Sequence, residues 1–154
     1  MCLLAFKSLA GTLPIMLGDP RALSADERKE FKQWAAWLEE VQARHGYMSF
    51  RQELPGFGEP AEGSWDGFMR INTETRSGGL VGVFKHGAKE QQRTVIVKYL
   101  NRTQLYEVRE GGTGILLRTM TGEELEEKGF PVTLSKPYDG QLFEIRDTKS
   151  ARPD

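Results

Sequence analysis

Apolar residues recur at helical spacing in one stretch of this chain. Between Ser24 and Gly46, Phe31, Trp34, Ala35, Leu38 and Val41 share a face, while Glu30, Lys32, Glu39, Glu40 and Arg44 lie around the other side. That is the pattern of a helix covering a core with a single stripe. Ser24 followed by Glu27 has capping-box spacing, in which each side chain satisfies a backbone amide at the helix start, and Gly46 supplies a stop. The pattern predicts a helix from Ala25 to His45, about 30 Å long, longer than a sandwich needs as an internal connector. Ahead of it, Leu13 to Leu17 form an unbroken apolar run that ends at Gly18-Asp19-Pro20. Such a run fits a strand buried on both faces, as in a parallel sheet covered by helices. The helix reads as the outer partner of that strand.

From Leu54 to Gly63 the composition turns to Pro, Gly and Glu without apolar periodicity, which marks a crossing between two regions. Beyond it every segment is short and strand-like: Trp65 to Asn72, Leu80 to Lys85, Arg93 to Leu100, Leu105 to Arg109, Ile115 to Met120, Val132 to Leu134 and Gln141 to Ile145. Val95, Val97 and Tyr99 alternate with Thr94, Ile96 and Lys98, as expected when one face is buried. Turns at His86-Gly87, Glu110-Gly111-Gly112 and Asp139-Gly140 would link antiparallel neighbours. One small helix is predicted from Gly122 to Lys128, with Thr121 and Glu124 as a second capping box and Gly129 as its stop. The expected fold is mainly β: an antiparallel β-sandwich preceded by a strand and one long α-helix. Residues 1–53 hold the strand and helix, 54–63 the crossing, 64–147 the sandwich and 148–154 a frayed polar tail.

Charge and composition narrow the function classes. Lys+Arg 21 against Asp+Glu 22 gives a formal net charge of -1, so total charge does not draw the chain to nucleic acid or to an anionic membrane. A single cysteine, Cys2, and two histidines, His45 and His86, leave no cysteine cluster for structural zinc and no internal disulfide. No metal or other cofactor is expected. The apolar N-terminus is interrupted by Lys7, Gly11 and Pro14 and reads as mature sequence rather than an export signal. No apolar run reaches the ~18 residues of a membrane-spanning helix. The compartment is left open.

With these elements in order, the chain resembles a known family. Pro14-Ile15-Met16-Leu17-Gly18-Asp19, then Arg21 and the Ser24 helix, resembles the final strand and helix of the catalytic barrel in melibiase-type α-galactosidases of glycoside hydrolase clan D, nearest family 36. Gly63-Ser64-Trp65-Asp66-Gly67-Phe68-Met69-Arg70-Ile71 is similar to the stretch entering their C-terminal sandwich. Gly79-Leu80-Val81-Gly82-Val83-Phe84 and Thr121 to Gly129 resemble later parts of that domain. The resemblance implies a remnant of a β/α barrel followed by the sandwich. At 154 residues the chain is too short for a complete barrel of about 250. In the family, one aspartate attacks the anomeric carbon and a second handles the proton, with the carboxyl groups about 5 Å apart. Both are carried by earlier barrel strands, so no catalytic residue transfers to this chain.

The implied role is a non-catalytic C-terminal portion that packs against the barrel and stabilises it, without hydrolase activity of its own. Its partner would be that barrel or a second copy of the chain, with a galactose-containing glycan as a further ligand. The alternative is a free-standing carbohydrate-binding or protein-interaction sandwich. Asp19 and Arg21 are candidate substrate-binding residues because the C-terminal ends of barrel strands form barrel active sites. Asp19 suits a loop-fixing role before Pro20 better than direct substrate contact. Trp65 is the third candidate, since an indole face can stack on a sugar ring, although its position after the crossing suits burial between helix and sandwich. Trp34 and Trp37 belong to the helix stripe. Asp66, Asp139 and Glu53 read as turn or surface carboxylates, His45 and His86 have no partner at a recognisable spacing, and Lys85, Lys89 and Arg93 read as the solvated basic tip of a hairpin.

Overall fold

The computed structural model of the chain describes residues 7, 8, 10, 22–46 and 51–151. The expected strand Leu13–Leu17 and the last three residues of the tail lie outside the described residues.

Helix α1 runs from Ala25 to His45, with both halves of its capping box formed. The Glu27 N–H donates to Ser24 Oγ at 3.2 Å, and the Ser24 N–H donates to the Glu27 carboxylate at 2.8 Å. Asp26 and Glu27 sit at its positive end, Arg44 and His45 at its negative end, both favourable to the helix dipole. Gly46 ends it with φ 71°, a backbone conformation that costs glycine little.

Eight strands follow: β1 Gln52–Glu53, β2 Ser64–Ile71, β3 Gly78–His86, β4 Gln92–Val95, β5 Leu105–Glu110, β6 Leu116–Thr121, β7 Phe130–Thr133 and β8 Tyr138–Asp147. Helix α2, Gly122–Glu127, separates β6 from β7 and carries the predicted Thr121/Glu124 capping box. Thr148–Ala151 forms one 3-10 turn. Six strands make one antiparallel sheet in the order β1-β2-β3-β8-β5-β6, and β4 pairs with β7 in a second. The fold is therefore mainly antiparallel β, with two sheets and a long preceding helix.

The large sheet is covered on both faces. Trp65, Met69, Ile71, Val81, Val83, Phe143 and Ile145 point to one side, where they pack on Val95, Phe130, Val132 and Leu125 from the small sheet and α2. Phe68, Leu80, Phe84 and Leu142 point to the other side and meet Trp34, Trp37, Leu38 and Val41 of α1. Double coverage explains why β3 is buried along its length except at His86, where alternation alone would leave every second residue exposed. Burying a side chain such as Leu142 in the α1 layer contributes about 2 kcal/mol. Trp34 closes over the β5–β6 turn, and a Cβ on Gly112 would lie 2.7 Å from its indole. The helix and that hairpin are fitted to each other.

Several local expectations change. Asp139 and Gly140 are not a turn: they lie inside β8, opposite Lys85 and Phe84 of β3. His86-Gly87 does not join hairpin neighbours, because β3 pairs with β2 and β8 while the chain leaves Gly87 for the other sheet. The strand expected over Arg93 to Leu100 stops at Val95. Val97 is still buried, but its N–H bonds to the Leu125 carbonyl at 3.0 Å and Tyr99 turns outward with φ 69°. Lys85 is buried rather than solvated, its ammonium donating to the Leu134 carbonyl at 3.2 Å.

Candidate functional site

Three features of the fold carry polar chemistry. The first pins the end of α1 to the large sheet. Glu144 of β8 is 2% exposed and accepts from Arg44 Nη1 at 2.5 Å and from His45 Nε2 at 2.8 Å. The other imidazole nitrogen, Nδ1, lies 3.1 Å from Ser77 Oγ, which is 3.0 Å from Thr75 Oγ1. Asn72 Nδ2 donates to the His45 carbonyl at 2.7 Å, taking up an acceptor that the helix end leaves open. Burial pushes the Glu144 carboxyl up, yet the His45 hydrogen bond and the Arg44 charge outweigh it and hold the group below the ordinary carboxylate value. Serine, histidine and carboxylate stand in the order of a nucleophilic triad. The Glu144 oxygen is nevertheless shared with Arg44. The cluster works as a structural clasp.

The second feature lies at the opposite end of the same sheet face. Asp66 of β2 is buried and its carboxylate meets His86 Nε2 of β3 at 2.5 Å, with Arg51 Nη2 3.9 Å away. Asp66 is thus a strand residue paired with the His86 imidazole, not a turn carboxylate, and both histidines have carboxylate partners. Nothing local to either histidine announced this, since His45 and Glu144 are far apart in sequence and the Asp66–His86 contact depends on the β2–β3 register. Nearby, Lys7 donates to the Gly140 carbonyl at 2.7 Å with its ammonium 4.8 Å from the centre of the Trp34 ring. Burial lowers the Lys7 pKa against the pull of Asp139 and Glu30.

The third feature is a groove of about 510 Å³ along β1 and the crossing, lined by Arg51, Glu53, Leu54, Phe57, Glu59 and Gly67 among others. Among the described residues no group of three or more His, Cys, Asp and Glu side chains is placed to hold a metal ion, and no helix is long and apolar enough to cross a membrane.

Of the candidate substrate-binding residues, Asp19 and Arg21 lie outside the described residues. Trp65 is 4% exposed, with its ring edge-on to Phe57 at 6.5 Å and its indole N–H donating to the Glu90 carbonyl at 3.2 Å. It fills the core between the two sheets and presents no open face.

Solved structures share this arrangement of sheet, helix and hairpins. The A355E variant of the GH36 α-galactosidase AgaA from Geobacillus stearothermophilus superposes with TM-score 0.65 and 22% identity, over 84% of this chain and 17% of that one. The galactosidase domain of the α-galactosidase-sucrose kinase AgaSK gives TM-score 0.62 at 17% identity, over 83% and 17% of the two chains. The α-galactosidase from Lactobacillus brevis gives 0.61 at 15% identity, over 84% and 18%. The chain shares its fold with one part of GH36 α-galactosidases. It spans about a sixth of their length. No family model and no curated protein matches the sequence.

A retaining glycosidase needs two carboxyl groups about 5 Å apart. Asp66 stands opposite Phe84 of β3, while Glu144 stands opposite Leu80. Four strand residues separate those rows, about 13 Å along the sheet. Glu144 is also engaged by Arg44 and His45, and Asp66 by the His86 imidazole.

Proposed function

We propose that this chain serves as the non-catalytic C-terminal β-sandwich module of a GH36-type glycoside hydrolase, packing against the catalytic barrel and stabilising it. The observation that carries the proposal is the fold shared with GH36 α-galactosidases over 84% of this chain and 17% of theirs. The separation of Asp66 from Glu144 and their engagement by His86 and Arg44 support a role without chemistry. Exposed Ile115, Leu116 and Leu117, consecutive at the start of the outer strand β6, supply apolar surface of the kind that packs on a neighbouring domain. The substrates of the assembled enzyme would be α-galactosides.

An immunoblot of the source organism, with an antibody raised to residues 64–147, tests the assignment. A band several times heavier than the 17.4 kDa of this chain is expected, and a band at that mass overturns the covalent module. The isolated chain should release no nitrophenol from p-nitrophenyl α-galactoside. Turnover that co-purifies with the folded chain would overturn the non-catalytic role.

A further inference from the structure

On its helix side the large sheet is covered by α1 as far as β8. Phe68, Leu80, Phe84 and Leu142, which meet the helix, belong to β2, β3 and β8. Register carries the same face outward onto β5 and β6. Arg109 stands opposite Glu144, and Glu107 opposite Arg146. Leu116 stands in turn opposite Arg109, and Thr119 opposite Glu107. Directly opposed residues share one side of a sheet, and Glu144 is on the side of α1 because Arg44 reaches it. The helix side of β5 and β6 therefore presents Leu105 and Leu116, 48% and 47% exposed. Their rows lie four β5 residues apart, about 13 Å. The other side of these strands is closed, with Tyr106 and Val108 in the core between the sheets.

The row between the two leucines holds an uncompensated charge. Glu107 accepts from Arg109 Nε at 2.7 Å, and Arg109 Nη1 donates to the Gly114 carbonyl at 2.7 Å, so that ion pair is already complete. Arg146, across from Glu107, is half-buried, makes no hydrogen bond or ion pair with another described residue, and has its Nε buried without an acceptor. A guanidinium held this way lacks the charge-assisted bonds that a carboxylate supplies. A small anion would answer the charge and leave the leucines in water. A wholly apolar surface would cover the leucines and strip water from the guanidinium without replacing it. A second copy laid on the same face brings another unpaired Arg146 and a Glu107 already taken. An extended chain meets both needs at once, because its residues i, i+2 and i+4 line one side. Apolar side chains at i and i+4 match the two leucine rows, and an acidic one at i+2 falls on the row of Arg146.

We infer that this face docks an extended acidic segment of another protein domain, with apolar side chains on Leu105 and Leu116 and a carboxylate on Arg146. The inference does not rest on the scaffold role. The mass of the endogenous protein decides whether a barrel is attached, whereas binding at this face decides what chemistry it takes. Both leucines are exposed strand residues, so Leu116→Thr removes apolar contact area while keeping a residue that suits a strand.

The test is a titration of the full-length, nitrogen-15-labelled chain with the pentapeptide acetyl-Leu-Thr-Glu-Thr-Leu-amide, followed by its amide and arginine Nε–H shifts. The peptide with lysine in place of glutamate, and sodium acetate, are the comparisons. Saturable shifts at Leu105, Glu107 and Leu116 and at the Arg146 Nε–H are expected with the acidic peptide, at a Kd of about 1 mM. Arg146→Gln should weaken binding about tenfold, and Leu116→Thr about fivefold. Lys136→Gln, at an exposed site away from β5 and β6, should leave it unchanged. The inference is overturned by any of four results: no shift with the acidic peptide, equal binding of the lysine peptide, the same shifts at the same concentration with acetate, or binding that survives both variants. Shifts at these residues on concentrating the chain alone would place a second copy on the face and overturn it too. Leu116→Thr keeps the test decisive if the arginine variant does not fold.

Discussion

Glu144→Gln asks whether the clasp at the end of α1 stabilises the fold electrostatically or only by filling space. The amide keeps the shape and one acceptor oxygen, but it removes the charge that Arg44 and His45 share and brings two N–H donors into a site already full of donors. Breaking a fully buried ion pair from one side costs about 3–5 kcal/mol, whereas exposed pairs contribute about 0–1 kcal/mol. The Glu144 side chain is 3% exposed and that of Arg44 is 23% exposed, so one partner is dry and the other reaches water. The variant should therefore lose about 2 kcal/mol at neutral pH, between those limits. Because the folded-state pKa of Glu144 lies below its ordinary value of 4.5, its contribution is present above that value and is lost as pH falls through the lower folded value. Urea unfolding followed by circular dichroism should show the wild type ahead at neutral pH and the two proteins converging in acid. Equal stability at neutral pH would refute the electrostatic clasp, and so would a difference that persists below the folded-state pKa.

Leu142→Ala, in the layer between the large sheet and α1, should cost about 3 kcal/mol in the same denaturation assay, and a loss under 1 kcal/mol would mean the helix is not packed there. Thr121→Ala removes the side-chain oxygen that accepts from the Glu124 N–H at 3.1 Å and should cost about 1 kcal/mol, readable as an earlier urea midpoint with an unchanged slope. Gly79→Ala should cost at least about 2 kcal/mol, since φ is 155° and the new Cβ would sit 2.0 Å from the Arg70 carbonyl oxygen. Gly58→Ala should stay within about 0.5 kcal/mol of wild type, and a loss equal to that of Gly79→Ala would undermine the packing argument for both.

Local signals in this sequence translated well into structure. Ser24 with Glu27, and Thr121 with Glu124, specify helix starts through bonds that close within three residues, so the capping boxes and the span Ala25–His45 were legible. Strand cores such as Leu80–Lys85 and Leu105–Arg109 were legible from β-branched and apolar runs bounded by turn residues. What local pattern could not convey was layering. Phe84 and Leu80 look like the neighbours of Val81 and Val83 in any apolar run, and only the placement of α1 on one face and β4–β7 on the other explains why both sets are buried. The same limit misplaced Asp139-Gly140. An Asp-Gly pair is a strong turn signal, but here eight consecutive pairings from Gly78–Arg146 to Lys85–Asp139 carry β8 through it.

The polar sites sharpen that contrast, because each is made by register rather than by motif. Asp66 meets His86 only because Asp66 pairs with Phe84, two residues short of the histidine on β3. His45 reaches Glu144 only because α1 spans the sheet and ends over β8, close to the loop that carries Ser77. The groove follows the same logic: its walls come from the crossing, whose Pro, Gly and Glu content spoke only of turns, and its floor comes from a strand glycine. A boundary segment with little apolar content can supply free carboxylates and a fixed aromatic ring once a two-residue strand, Gln52–Glu53, ties it to the sheet edge. The short length of β1 matters here, because it ends the ladder early and leaves the crossing to curve over Gly67 instead of continuing flat against β2. A longer β1 would pair that backbone and fill the groove with strand.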